Sequence, residues 1–107
     1  MSARVYVAQE GPFDYTSAEQ FGTLEFCSVQ EITPTRGGHL NDNIIRGIRK
    51  AMTEYVPGVD YVLLSGSPIA IAHCLAMAFN VRTHPVEHNV LKWDGQRGHY
   101  VEYKVEG

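Results

Sequence analysis

Two short stretches of this chain hold residues suited to gripping an anion: Arg36-Gly37-Gly38-His39 and Ser65-Gly66-Ser67. A guanidinium such as that of Arg36 gives a phosphate or carboxylate two parallel hydrogen bonds. His39 adds a donor or a proton. Gly37, Gly38 and Gly66 lack a Cβ and let backbone N–H groups approach a ligand closely. Ser65 and Ser67 supply hydroxyls. The chemistry these residues suit is recognition of a nucleotide or another phosphate-bearing small molecule. Neither the GxGxxG fingerprint nor the GxxxxGK[ST] loop occurs, and no cofactor is expected.

Catalysis is the weaker reading. The segment LSGSP is not GxSxG, so the strained serine elbow of hydrolases is absent. Ser65 or Ser67 with His39 and Asp42 is the nearest approach to a nucleophile, base and orienting group. A small nuclease or phosphohydrolase acting on a signalling nucleotide, with His39 as acid or base, is therefore an alternative to a non-catalytic binder. His84 and His88 are four residues apart, but Pro85 between them spoils the helical geometry that would aim both at one metal. No metal site is expected. His73, alone on an apolar helix, reads as a buried structural histidine. Trp93 and the nearby tyrosines suit cross-strand packing in a hairpin.

The elements that must position these residues follow from the apolar pattern. Tyr61 to Leu64 is an uninterrupted apolar run, which fits a strand covered on both faces. Ser65-Gly66-Ser67 breaks it. Ser67 is suited to cap a helix whose first position is Pro68, where a missing N–H costs nothing. From Ile69 to Phe79 the strongly polar residue is His73, so this helix is expected to show water no broad side. Arg4 to Gln9 predicts a first strand. Thr23 to Ile32 predicts a second, apolar on both faces and so placed inside the sheet. Between them lies a long connection whose Phe13 and Tyr15 pin it to the body or form a lid. Its Thr16 to Gln20 segment has the spacing of a capping box. Leu40, Ile44, Ile45, Ile48, Met52 and Tyr55 form one helical stripe, with a close backbone contact expected at Gly47. Val90 to Trp93 and His99 to Glu106 predict a hairpin about an Asp-Gly turn. Its second strand alternates His99, Val101, Tyr103 and Val105 with polar partners, a pattern of one buried face.

The order β, β, α, β, α, β, β predicts a single α/β domain over residues 1–107. It would have a mixed sheet of about five strands, a parallel β-α-β-α-β core and a C-terminal hairpin. Both anion-binding loops then fall at the carboxyl ends of parallel strands, where open α/β sheets bind ligands.

Composition narrows the partners. With Lys and Arg at 9 against 12 Asp and Glu, the net charge of −3 supplies no basic face for general duplex DNA binding. No window approaches the ~20 apolar residues of a membrane span, and the N-terminus lacks the layout of a signal peptide, so a cytoplasmic protein is expected. Cys27 and Cys74 read as buried free thiols. The surplus apolar surface of Ile69 to Phe79 leads us to expect a homo-oligomer, joined through the small-residue side of that helix or the hairpin edge.

The segment DYVLLSGSPIAIA, from Asp60, followed by VLKWDGQRGHYVEYKV, resembles small α/β proteins of bacterial viruses and mobile elements. In that group an LSG-x-P-type strand and helix precede a KWD hairpin. The resemblance spans roughly residues 60–105 and brings no mechanism with it. It implies a host-takeover or anti-defence role in the host cytoplasm: capture or cleavage of a signalling nucleotide, or a protein–protein interaction factor that inhibits a host protein.

Overall fold

The sheet is assembled around its first strand. The structure, a computed structural model, describes residues 2–29, 39–80 and 86–107. Strand β1 (Arg4–Val7) lies between β2 (Thr23–Phe26) and β3 (Tyr61–Leu63). Beyond β3 come β4 (Glu87–Asp94) and β5 (His99–Glu106), giving the order β2-β1-β3-β4-β5. β1 pairs parallel with β2 and β3, and β3 pairs parallel with β4. β5 returns antiparallel along β4. With helices α1 (His39–Met52) and α2 (Pro68–Phe79), this is the α/β architecture expected: a mixed five-stranded sheet with a parallel core and a C-terminal hairpin.

Side-chain alternation along the strands divides the core in two. Tyr6 and Val62 face the helices, where they meet Ile44, Ile48 and Met52 of α1 and Cys74 of α2. Val5, Val7, Leu63 and Leu91 face the other way, beneath Tyr15, Ala18 and Phe21 of the β1–β2 connection. Both helices therefore share one face, and an irregular aromatic segment covers the other. Asp60 ties the far end together by accepting from the N–H groups of Arg4 (2.9 Å) and Val56 (2.8 Å). Cys27 and Cys74 are free thiols in the helix-side core, and contact with Cys74 and burial push the Cys27 thiol up.

Several local expectations change. β2 is a short edge strand, because the interior place beside it is taken by β1, whose Val5, Tyr6, Val7 and following Ala8 are all buried. The segment Thr16–Ala18 is a 3₁₀ turn. There the Ser17 hydroxyl accepts from the Tyr100 N–H at 3.0 Å, bracing the hairpin instead of capping a helix. A Cβ at Gly47 would stand 3.6 Å from the Cys27 carbonyl oxygen, an ordinary separation rather than a close backbone contact. Helix α2 does face solvent, through Ile69, Ala72 and Ala76, while Ala70, Cys74 and Ala78 line its buried side. In β5 the side predicted to be buried stays open: Tyr103 is 46% and Val105 37% exposed. The helices lie over strands nearer the sheet centre and leave this strand uncovered.

Candidate functional site

The chain leaves β1 toward one edge of the sheet to make β2, then crosses back over β1 to make β3. The connections after β1 and β3 therefore diverge, and a crevice opens between them at the carboxyl ends of these strands. Such switch points are where open α/β sheets hold ligands.

The wall after β3 is built as the sequence predicts. Ser67 caps α2 with extended backbone, its Oγ accepting from the Ile69 N–H at 3.2 Å, and Pro68 takes the first helical position. Gly66 turns the chain with φ +93°, a region L side chains rarely adopt. A Cβ there would collide with the Gln9 side chain. Gln9, just beyond β1, accepts from the Ser67 N–H through Oε1 at 2.6 Å.

The opposite wall comes from the β1–β2 connection and the hairpin. The Tyr15 hydroxyl accepts from the Gly11 N–H at 2.9 Å and shares a 2.9 Å hydrogen bond with Ser65 Oγ. The Tyr15 ring stacks on Tyr100 at 6.2 Å and meets Phe13 and Phe26 edge-on. Trp93 meets Tyr100 edge-on at 5.2 Å. Between these walls lies a cavity of about 420 Å³, bounded by Phe13, Asp14, Leu64, Ser65, Trp93 and Tyr100. A second, more open hollow of about 600 Å³ adjoins it, running along Gln9, Glu10 and Gly11 to Val29 and Ser67. Pro12, Phe13 and Gly66 border both.

Charge at the rim is acidic. Glu10 and Asp14 border the two hollows, and among the described residues no Lys or Arg does. The Thr16 hydroxyl and N–H hold the Asp14 carboxyl below the usual range. Burial, helped by Tyr15 and Asp14, pushes the Tyr100 phenol up to about 12. Both groups keep fixed protonation states near neutral pH: Asp14 a carboxylate, Tyr100 a neutral phenol.

Ser65, Gly66 and Ser67 thus stand at the crevice. Arg36, Gly37 and Gly38 lie outside the described residues, as does the side chain of His39, the first residue of α1. His84 is outside them too. His88 is fully buried, its Nδ1 2.6 Å from the Tyr55 hydroxyl and its ring stacked on Tyr55. Among the described residues no group of three or more His, Cys, Asp or Glu is placed to hold a metal ion, and no helix is long and apolar enough to cross a membrane.

Sequence reasoning missed Gln9, Trp93 and Tyr100 as parts of this site. Trp93 and Tyr100 do pack across the hairpin, and that same packing stands them at the crevice. A trace of the signal was present in Phe13 and Tyr15, aromatic residues in a long connection. Chemically the crevice is an apolar, aromatic slot with hydroxyls at its floor and an amide-bearing turn at one end. Its Ser65 hydroxyl faces a tyrosine, and no histidine borders either hollow among the described residues.

Compared with known proteins, residues 3–107 match the family model described as Phage Pam3 gp32-like protein. No curated protein and no solved structure matches.

Proposed function

Because this chain belongs to the Phage Pam3 gp32-like protein family, we propose that it is a small non-catalytic binding protein which captures a nucleotide-like ligand in the infected host. The observation that carries this reading is the aromatic-walled cavity at the ends of β1 and β3, set against the start of α2. A planar base fits between Phe13 and Trp93, since every base offers a π-face for stacking. Its phosphate turns toward Gly66, Ser67 and the positive end of α2. Gln9 already holds the Ser67 N–H, so the phosphate relies on the Gly66 backbone, the serine hydroxyls and Arg36. Glu10 and Asp14 at the rim disfavour a heavily charged ligand. A monophosphate or cyclic nucleotide therefore fits better than a triphosphate, and sequestering such a signal is one form of host takeover or anti-defence.

Trp93 is the chain's sole tryptophan, so its fluorescence reports on this cavity directly. Titration with nucleosides, mono- and triphosphates and cyclic nucleotides should quench it and raise the thermal midpoint, because a ligand that binds the folded state stabilises it. Unchanged fluorescence and midpoint with all of them at millimolar concentration would defeat the reading.

A second reading has its own support. Phe13 and Trp93 stand 57% and 44% exposed on the rim, and aromatic residues of that kind anchor protein interfaces. A host protein would then cover the crevice. Loss of binding to that protein in Trp93→Ala, with no response to any nucleotide, would favour it.

A further inference from the structure

We propose that a second copy of this chain docks on the outer edge of β5, strand against antiparallel strand, about a two-fold axis at Tyr103.

Hydrogen-bond parity comes first. Val86 and Gly107 exchange N–H···O bonds of 3.2 and 3.1 Å. The register runs on unbroken from Glu87↔Glu106 to Asp94↔His99. Antiparallel ladders alternate, so the odd-numbered residues of β5 bond to β4 and the even-numbered ones direct N–H and C=O outward. Ser17 caps the first of these, accepting the Tyr100 N–H. From Glu102 to Glu106 the outward edge meets no strand among the described residues. That stretch carries no proline or bulge, two of the usual protections of an exposed edge.

Side-chain pattern then selects the occupant. Centring the axis on Tyr103 places Glu102 of each copy opposite Lys104 of the other, giving two opposite-charge pairs on one face. The outward backbone groups of these same residues are the ones that face each other. On the other face Val101 meets Val105, and Tyr103 meets its own copy at a position without ladder bonds, where side chains approach most closely. Moving the axis one residue either way sets Glu102 against Glu102 or Lys104 against Lys104. The charges therefore favour one register. Within one chain Lys104 lies 3.4 Å from Glu102 and donates at 2.7 Å to Asn89 Oδ1 of the neighbouring β4, so docking turns these two side chains outward from their contacts within the sheet. The side of β5 whose alternation predicts burial, yet which stands open, becomes one continuous apolar stripe across the two copies.

Sedimentation equilibrium of the full chain, with far-UV circular dichroism as a check on folding, tests this. The parent protein should show twice the 12.0 kDa chain mass at high micromolar concentration. Glu102→Lys and Lys104→Glu each bring like charges face to face at both pairs and should raise the dimer dissociation constant about tenfold or more. The double swap Glu102→Lys with Lys104→Glu restores opposite charges and should restore the dimer. A parent that stays at 12.0 kDa overturns the proposal. Single variants that dimerise like the parent overturn it as well, and so does dissociation by Ala72→Glu on α2 but not by Glu102→Lys. Should a single variant fail to fold, the double swap decides: folded and dimeric supports the pairing, folded and monomeric rejects it.

Discussion

Gln9 and Ser67, 58 residues apart in the chain, are joined by a 2.6 Å hydrogen bond from the Ser67 N–H to Gln9 Oε1. This contact fixes the start of α2 to the end of β1 and sets the width of the crevice. It also makes Gly66 obligatory, since a side chain there would need both a left-handed backbone and the space Gln9 fills. Gly66→Ala is expected to lower stability by about 1–3 kcal/mol. Gln9→Ala should lower it by about 1–2 kcal/mol, through the amide left without its acceptor. Urea denaturation of the two variants checks both values. A Gly66→Ala protein as stable as the parent would show that the turn is not constrained in this way.

Tyr15 holds the β1–β2 connection down through its hydroxyl, which engages both Gly11 and Ser65. Tyr15→Phe keeps the ring packing and removes both bonds. It should reduce stability by about 1–3 kcal/mol and speed amide exchange at Gly11. Exchange at the parent rate would mean that the ring alone anchors the segment.

Alkaline pH should expose Tyr100. Its phenol is raised to about 12 from the ordinary 10.0, mainly by burial. Folding thus favours the protonated form, and that stability is complete below about pH 10 and is lost as pH rises toward 12. Burial raises Tyr6 and Tyr61 as well, so they act in the same direction. Urea midpoints at about pH 9 and about pH 11 should differ less in Tyr100→Phe than in the parent. An equal loss in the two proteins would place the titration elsewhere.

Trp93 and Arg36 should divide the ligand between them. Trp93→Ala is expected to weaken nucleosides and nucleotides alike, by about 1–3 kcal/mol for the lost stacking. Arg36→Ala should weaken nucleotides alone and reduce the salt dependence of their binding. Calorimetry at low salt checks both. Equal weakening of nucleosides by Arg36→Ala would contradict its assignment to the phosphate.

Much of the architecture was legible because the strongest patterns are local. The run Tyr61 to Leu64, which supplies β3 at Tyr61–Leu63, the glycine-serine turn, the Ser67 cap and Pro68 all act within a few residues, and they fold as their chemistry dictates. The hairpin is local too: Asp94 Oδ1 accepts from the N–H groups of Gln96 and Arg97 and closes the turn. Strand order is not local. Leu24 and Phe26 with Cys27 and Val29 look like a strand covered on both faces. In the structure Phe26 finds the Tyr15 ring, while Cys27 turns into the core beyond the strand end. The site suffered in the same way. Gln9, Phe13 and Trp93 converge because β1 lies beside β3 and β3 beside β4, neighbour relations that no short stretch of sequence encodes.

The interior position of β1, between β2 and β3, has a consequence for synthesis. Its valines leave the ribosome early and find β2 soon after, but the second neighbour, β3, is made much later. At typical elongation rates the wait between Phe26 and Tyr61 is on the order of seconds. Throughout it, one side of a strand destined for the sheet interior remains unpaired. The nascent chain must stay soluble through that interval, so conditions that slow translation should favour its aggregation more than conditions that merely destabilise the finished protein.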